Sequence, residues 1–95
     1  MSEIIAQNIN ELDLSFKQGD DFSFDIEFPF SLTTATIKAK IGTIDFTKNL
    51  NTEYICSFIL NESQTESIEN GAEWYIRITK DDYTRTYFRG RYIAL

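Results

Sequence analysis

Gly71-Ala-Glu-Trp-Tyr-Ile-Arg-Ile-Thr-Lys80 alternates apolar and polar residues behind one glycine and contains the only tryptophan of the chain. Ala72, Trp74, Ile76 and Ile78 fall on one side of an extended backbone, and Glu73, Tyr75, Arg77 and Thr79 on the other. A period of two with a single apolar side marks a half-buried antiparallel strand. Trp74 is the largest apolar group available to anchor a core.

The same period recurs upstream. Leu12, Leu14 and Phe16 alternate with Asp13 and Ser15, and a turn through Lys17-Gln-Gly-Asp-Asp21 follows, with Gly19 free to take a positive φ. Phe22, Phe24, Ile26 and Phe28 then share a face opposite Ser23, Asp25 and Glu27, until Pro29 ends the strand. Ala35, Ile37, Ala39 and Ile41 alternate with Thr36, Lys38 and Lys40, which gives a strand with two lysines outside. Gly42-Thr43 turns the chain into a short strand in which Ile44, Phe46 and Lys48 share a side, and residues 49–52 read as a loop. Residues 54–60 carry apolar groups on both faces, the pattern of a central strand covered twice. In the polar stretch 61–70, Ser63 followed by Glu66 predicts a capping box and one helical turn.

Beyond the tryptophan strand, Asp81-Asp82 forms a hairpin tip leading into residues 83–89, Gly90 permits a bulge, and Arg91-Tyr-Ile-Ala-Leu95 closes in a strand. About eight strands spaced roughly 8–12 residues apart predict an all-β, antiparallel immunoglobulin-like sandwich with at most one short helical turn. A single domain is expected over residues 11–95, preceded by an arm, residues 1–10. In the arm, Ile5 and Ile9 lie at helical spacing with Leu12, so a turn capped by Ser2 is one reading and a segment ordered by a partner is the other.

Composition narrows the function. At 95 residues and 42% hydrophobic the chain is one domain with enough apolar surface for a core. No apolar run is long enough to span a membrane, and the N-terminus lacks the basic start and apolar centre of a signal peptide. The lone cysteine, Cys56, forms no internal disulfide and reads as a small buried hydrophobe, so folding in a reducing cytoplasm is expected. Residues 1–36 hold seven acids against Lys17, whereas the remainder holds eight of each sign, which accounts for the net charge of −6. That balance argues against nucleic acid as a partner, because phosphate binding needs a basic footprint.

Catalytic chemistry has little to work with. With no histidine, Ser–His and Cys–His nucleophiles and histidine-containing metal sites are excluded, and one cysteine cannot build a thiolate zinc site. Asp20-Asp21 and Asp81-Asp82 are paired carboxylates that, brought together, would suit a Ca²⁺ ion or glycoside chemistry, against the plainer reading that aspartates cap turns. No catalytic, cofactor-binding or metal-ligating residue is therefore assigned. The candidate surface is the C-terminal strand, where Tyr83, Arg85, Tyr87, Arg89 and, if Gly90 keeps the register, Arg91 share one face. Tyrosine and arginine are enriched at interface hot spots. The face suits either an acidic partner, including the Asp25/Glu27 face of a second copy, or a solvated face of cross-strand ion pairs.

Taken in order, these elements resemble a small all-β domain of tailed-phage virions, the N-terminal domain of the phage baseplate upper protein and related accessory modules. The residues carrying the resemblance are Gln18-Gly19-Asp20-Asp21-Phe22, Leu32-Thr33-Thr34-Ala35-Thr36-Ile37-Lys38, Phe58-Ile59-Leu60, Thr65-Glu66-Ser67-Ile68, Gly71 with Trp74-Tyr75-Ile76-Arg77-Ile78, and Gly90. The chain departs from the pattern in having no glycine after Leu32-Thr33 and no fibre or receptor-binding region following. The resemblance implies a non-enzymatic, free-standing virion component of a tail, baseplate or neck, assembled in the host cytoplasm. Its implied partners are other virion proteins and further copies of itself, with no cofactor, nucleic acid or membrane. The alternative is a carbohydrate-binding sandwich that uses Trp74, Tyr75 or Tyr87 as stacking platforms.

Overall fold

The structure, a computed structural model, describes residues 10–95. The expected arm turn at Ser2, Ile5 and Ile9 lies outside the described residues. The strands are β1 (Asn10–Glu11), β2 (Leu14–Phe16), β3 (Phe22–Glu27), β4 (Thr36–Ile41), β5 (Ile44–Asp45), β6 (Thr47–Leu50), β7 (Ile55–Leu60), β8 (Glu73–Lys80) and β9 (Tyr83–Ala94). One short helix, α1 (Glu62–Glu66), joins β7 to β8. No described helix is long and apolar enough to cross a membrane.

Two sheets form. The larger runs β1-β9-β8-β4-β5, with β2 also on β9, and the smaller runs β3-β7-β6. This is the partition of an immunoglobulin sandwich, with β3, β7 and β6 in the places of strands B, E and D, and β4, β8 and β9 in those of C, F and G. The chain is therefore the all-β sandwich its periodicity predicts. It is not wholly antiparallel, because β1 and β2 both pair with β9 in parallel. β9 has β8 on one side, and the N-terminal strands cover its other edge, which would otherwise stand open.

The core is aromatic. Trp74, Ile76 and Ile78 of β8 are all buried, as their spacing requires. Phe16 stacks between Phe22 at 4.3 Å and Tyr92 at 4.2 Å, and Phe24 meets Phe58 at 5.4 Å and Trp74 at 6.0 Å. The two polar tips in this core reach backbone carbonyls of the N-terminal segment, Leu12 between β1 and β2 and Phe16 in β2. Trp74 Nε1 donates to Leu12 O at 2.7 Å, and the Tyr92 hydroxyl donates to Phe16 O at 2.8 Å. Cys56 is buried among them as a small hydrophobe.

Gly90 has a different role from the one expected of it. A Cβ there would sit 1.8 Å from Leu12 O and 2.8 Å from Trp74 Nε1, so the glycine is the opening through which the N-terminal strand and the indole meet. The bulge lies three residues earlier, at Tyr87. Ile76 pairs with Phe88 but Arg77 with Thr86, which leaves Tyr87 as the extra residue.

Other local expectations shift as well. The single strand read from Ile44 to Lys48 is two strands, since β5 pairs with β4 and β6 pairs with β7. The chain changes sheets at Phe46, whose buried ring meets Phe58 and whose N–H bonds to Ala39 O at 3.0 Å. Residues 49–50, read as loop, belong to β6. β7 is central in its sheet but covered once: Cys56, Phe58 and Leu60 are buried, while Ile55, Ser57 and Ile59 stay half-exposed. The helix starts earlier than expected because Asn61 is a strong N-cap. Its capping box joins Asn61 to Gln64 rather than Ser63 to Glu66. Both turns at aspartate pairs hold. Gly19 has φ +89°, and Asp81 and Asp82 take φ of 53° and 62°, as a type I′ hairpin demands.

Candidate functional site

The Tyr87 bulge decides what becomes of the candidate face. Tyr83 and Arg85 pair with Lys80 and Ile78, so they project from the side of the sheet that faces the interior. They lie where that side emerges beyond the core, with the Arg85 guanidinium 4.9 Å from the Tyr83 ring centroid and hydrogen-bonded to its hydroxyl. Past the bulge, Phe88, Gly90 and Tyr92 turn inward, and Arg89 and Arg91 turn outward. Tyr87 packs against Phe28 and Phe30, with centroids 6.1 Å and 5.5 Å away. The five residues therefore do not share one face, and Gly90 is not what separates them. The sequence carries a sign of this. Even-numbered positions change from Thr84 and Thr86 to Phe88 and Tyr92, and one face cannot be both polar and core without a shift between them.

Outside the bulge, β8 and β9 form the floor of an open groove of about 580 Å³ on the outer face of the larger sheet. Its walls carry Tyr75, Arg77, Thr86, Arg89 and Arg91, with Glu11, Asp13 and Glu73 facing them. Arg89 pairs with Glu11 at 3.1 Å and Arg91 with Glu73 at 3.6 Å, both well exposed. Such pairs contribute little to stability. Asp13 accepts the backbone N–H of Arg91. Arg77 has no acidic partner among the described residues; its guanidinium lies 4.8 Å from the Tyr75 ring centroid and its Nε donates to Thr86. Directly across the sheet from Arg77 stands Lys38.

The remaining candidates separate. Asp20 and Asp21 precede β3, where Asp21 accepts the Glu62 N–H at the start of α1. Asp81 and Asp82 follow Lys80, which reaches Ser31 O beyond the other end of β3. The two carboxylate pairs thus sit in turns at opposite ends of the sandwich, and no shared site joins them. No group of three potential metal ligands occurs among the described residues. Of the aromatics considered for sugar stacking, Trp74 is buried and Tyr87 is occupied by Phe28 and Phe30, which leaves Tyr75. Burial raises the Cys56 thiol above its ordinary 9.0 and the Tyr92 phenol above its ordinary 10.0, so both stay protonated at neutral pH.

No protein-family model and no curated protein matches the chain. Among solved structures it is similar to the endo-fucoidan hydrolase MfFcnA4 from glycoside hydrolase family 107, with a TM-score of 0.62 at 13% identity. The match covers 90% of this chain and 13% of the hydrolase, so the likeness is one of fold, confined to a small part of a much longer enzyme.

Proposed function

We propose that the chain is a non-enzymatic structural component of a tailed-phage virion, held in the particle by contacts with other virion proteins and with its own copies. The smaller sheet carries this reading. β3 and β6 are its two outer strands, and among the described residues neither has a second strand beside it. Each offers a row of backbone N–H and C=O groups, the surface to which strands of other chains add. β6 is exposed at every position. The order of turns and strands, which resembles the baseplate-associated domain, supplies the setting: a tail, baseplate or neck position, filled in the host cytoplasm.

Mass spectrometry of purified particles from the phage that encodes the chain is the direct test. The chain is expected at a fixed copy number per particle, retained through a salt wash. Particles that lack it, made in infected cells that express it, would overturn the proposal.

A second reading, a carbohydrate-binding module, is favoured by the groove that presents Tyr75 beside three arginines, and by the occurrence of the fold within a fucoidan hydrolase. An array of neutral and sulfated oligosaccharides addresses it. Binding abolished by Tyr75→Ala supports this reading, and an array without binding removes it.

A further inference from the structure

The two outer faces of the sandwich point in opposite directions and, apart from Asp13, which is held by the Arg91 backbone N–H, carry opposite unpaired charge. On the larger sheet, three cations are neutralised within the chain: Lys40 by Asp45 at 3.9 Å, Arg89 by Glu11 and Arg91 by Glu73. Lys38 and Arg77 are not. They stand directly opposite each other on β4 and β8, both exposed, with no ion-pair partner among the described residues. Like charges in that relation are destabilising, since their Cβ atoms are only about 5 Å apart.

The smaller sheet shows the complement. Asp25 and Glu27 project outward from β3, two residues and so about 7 Å apart. Asp25 accepts a hydrogen bond from Ser57, and neither carboxylate has a cation within ion-pair distance among the described residues. Beside them on β7, half-exposed Ile55 and Ile59 offer aliphatic surface that would shield ion pairs from water.

From this we infer that a second copy of the chain docks head to tail, its Asp25/Glu27 face on the Lys38/Arg77 face of the first. Each cation pair then meets a carboxylate pair of comparable spacing, and the internal repulsion between Lys38 and Arg77 is relieved. Because the two surfaces differ, the contact is heterologous and propagates. It closes into a ring if the rotation per copy permits and extends as a stack if it does not. The inference rests on the assembly reading above and specifies the surface through which copies meet.

Light scattering coupled to size exclusion, at about 50 mM salt, tests it. The wild-type mass is expected to exceed the monomer and to fall as salt rises, because exposed pairs are screened beyond a Debye length of about 10 Å at 0.1 M. Asp25→Lys/Glu27→Lys and Lys38→Glu/Arg77→Glu should each elute as monomers, with at least a tenfold loss of self-affinity and unchanged circular dichroism. Mixing the two variants should restore association, since one then carries two basic faces and the other two acidic ones. A wild-type chain that is monomeric at about 100 μM in low salt, either variant assembling like wild type, or a mixture that stays monomeric would overturn the interface. A monomeric chain that is nevertheless recovered in particles would overturn this contact alone, whereas absence from particles would overturn the virion assignment.

Discussion

In the larger sheet the inward residues of β8 are fully buried and the N-terminal strands are tied down by the Trp74 indole and the Tyr92 hydroxyl. In the smaller sheet, Phe22, Phe24 and Ile26 of β3 stay half-exposed, and both outer strands lie open among the described residues. The difference separates two tasks. Apolar burial and satisfied polar tips concentrate on the inner side of the larger sheet, and open backbone edges and unpaired carboxylates lie where the core is thinnest. A small domain buries only about 60–65% of its unfolded surface, so it cannot close both sheets equally well.

The contrast can be broken most forcefully at Trp74. Trp74→Ala should cost about 3–5 kcal/mol, the usual range for a fully buried aromatic, and Phe24→Ala no more than about half of that, because its ring is already partly in water. Urea denaturation of both variants measures the gap, and equal losses would show that the sheets contribute alike. Next in size is Gly90→Ala. Its methyl group would collide with the Leu12 carbonyl, and a loss of about 2–3 kcal/mol is expected, accompanied by faster amide exchange in β1 and β2. Exchange that quickened in β3 instead would place the opening in the wrong sheet.

Tyr92→Phe should cost about 1 kcal/mol, since it removes one of the two donors to the Phe16 carbonyl, leaving the Leu95 N–H. It also sharpens the comparison through pH. Burial raises the Tyr92 phenol, so the folded chain keeps this proton to higher pH than the unfolded one. The associated stability is complete below about pH 10 and is lost as pH rises through the folded value. Tyr92→Phe should flatten that alkaline decline, leaving the part due to the buried Cys56 thiol, which is also raised. The smallest effect belongs to the outer faces. Lys38→Glu or Asp25→Lys should change monomer stability by no more than about 0.5 kcal/mol. A larger loss would mean that these charges hold the fold itself.

Much of the larger sheet was readable in advance because its pattern is local. Trp74, Ile76 and Ile78 alternate with polar residues, and only one face of an extended chain can satisfy that pattern. Turn residues were equally legible, since Gly19, Asp81 and Asp82 tolerate the positive φ those turns need. The candidate face on β9 differs from the expectation because strict alternation runs straight through Tyr87, where the pairing shifts. Nothing local forces the shift at that residue; the pairing of β9 with Ile76 and Arg77 does. The same holds for residues 44–48, where one apparent strand serves two sheets because Phe46 is buried at the crossing.

Alternation in the sequence determined that this chain is an all-β sandwich and which strand faces turn inward, and composition determined that its N-terminal third is acidic. Only the tertiary structure decided that the first strands lie parallel to the last, that Gly90 is needed for close approach, and which charges remain unpaired. The reason is one of range. Alternation and turn preference act between neighbours a few residues apart, whereas strand partners, bulges and ion pairs are set by contacts such as Leu12 with Trp74, which are 62 residues apart along the chain.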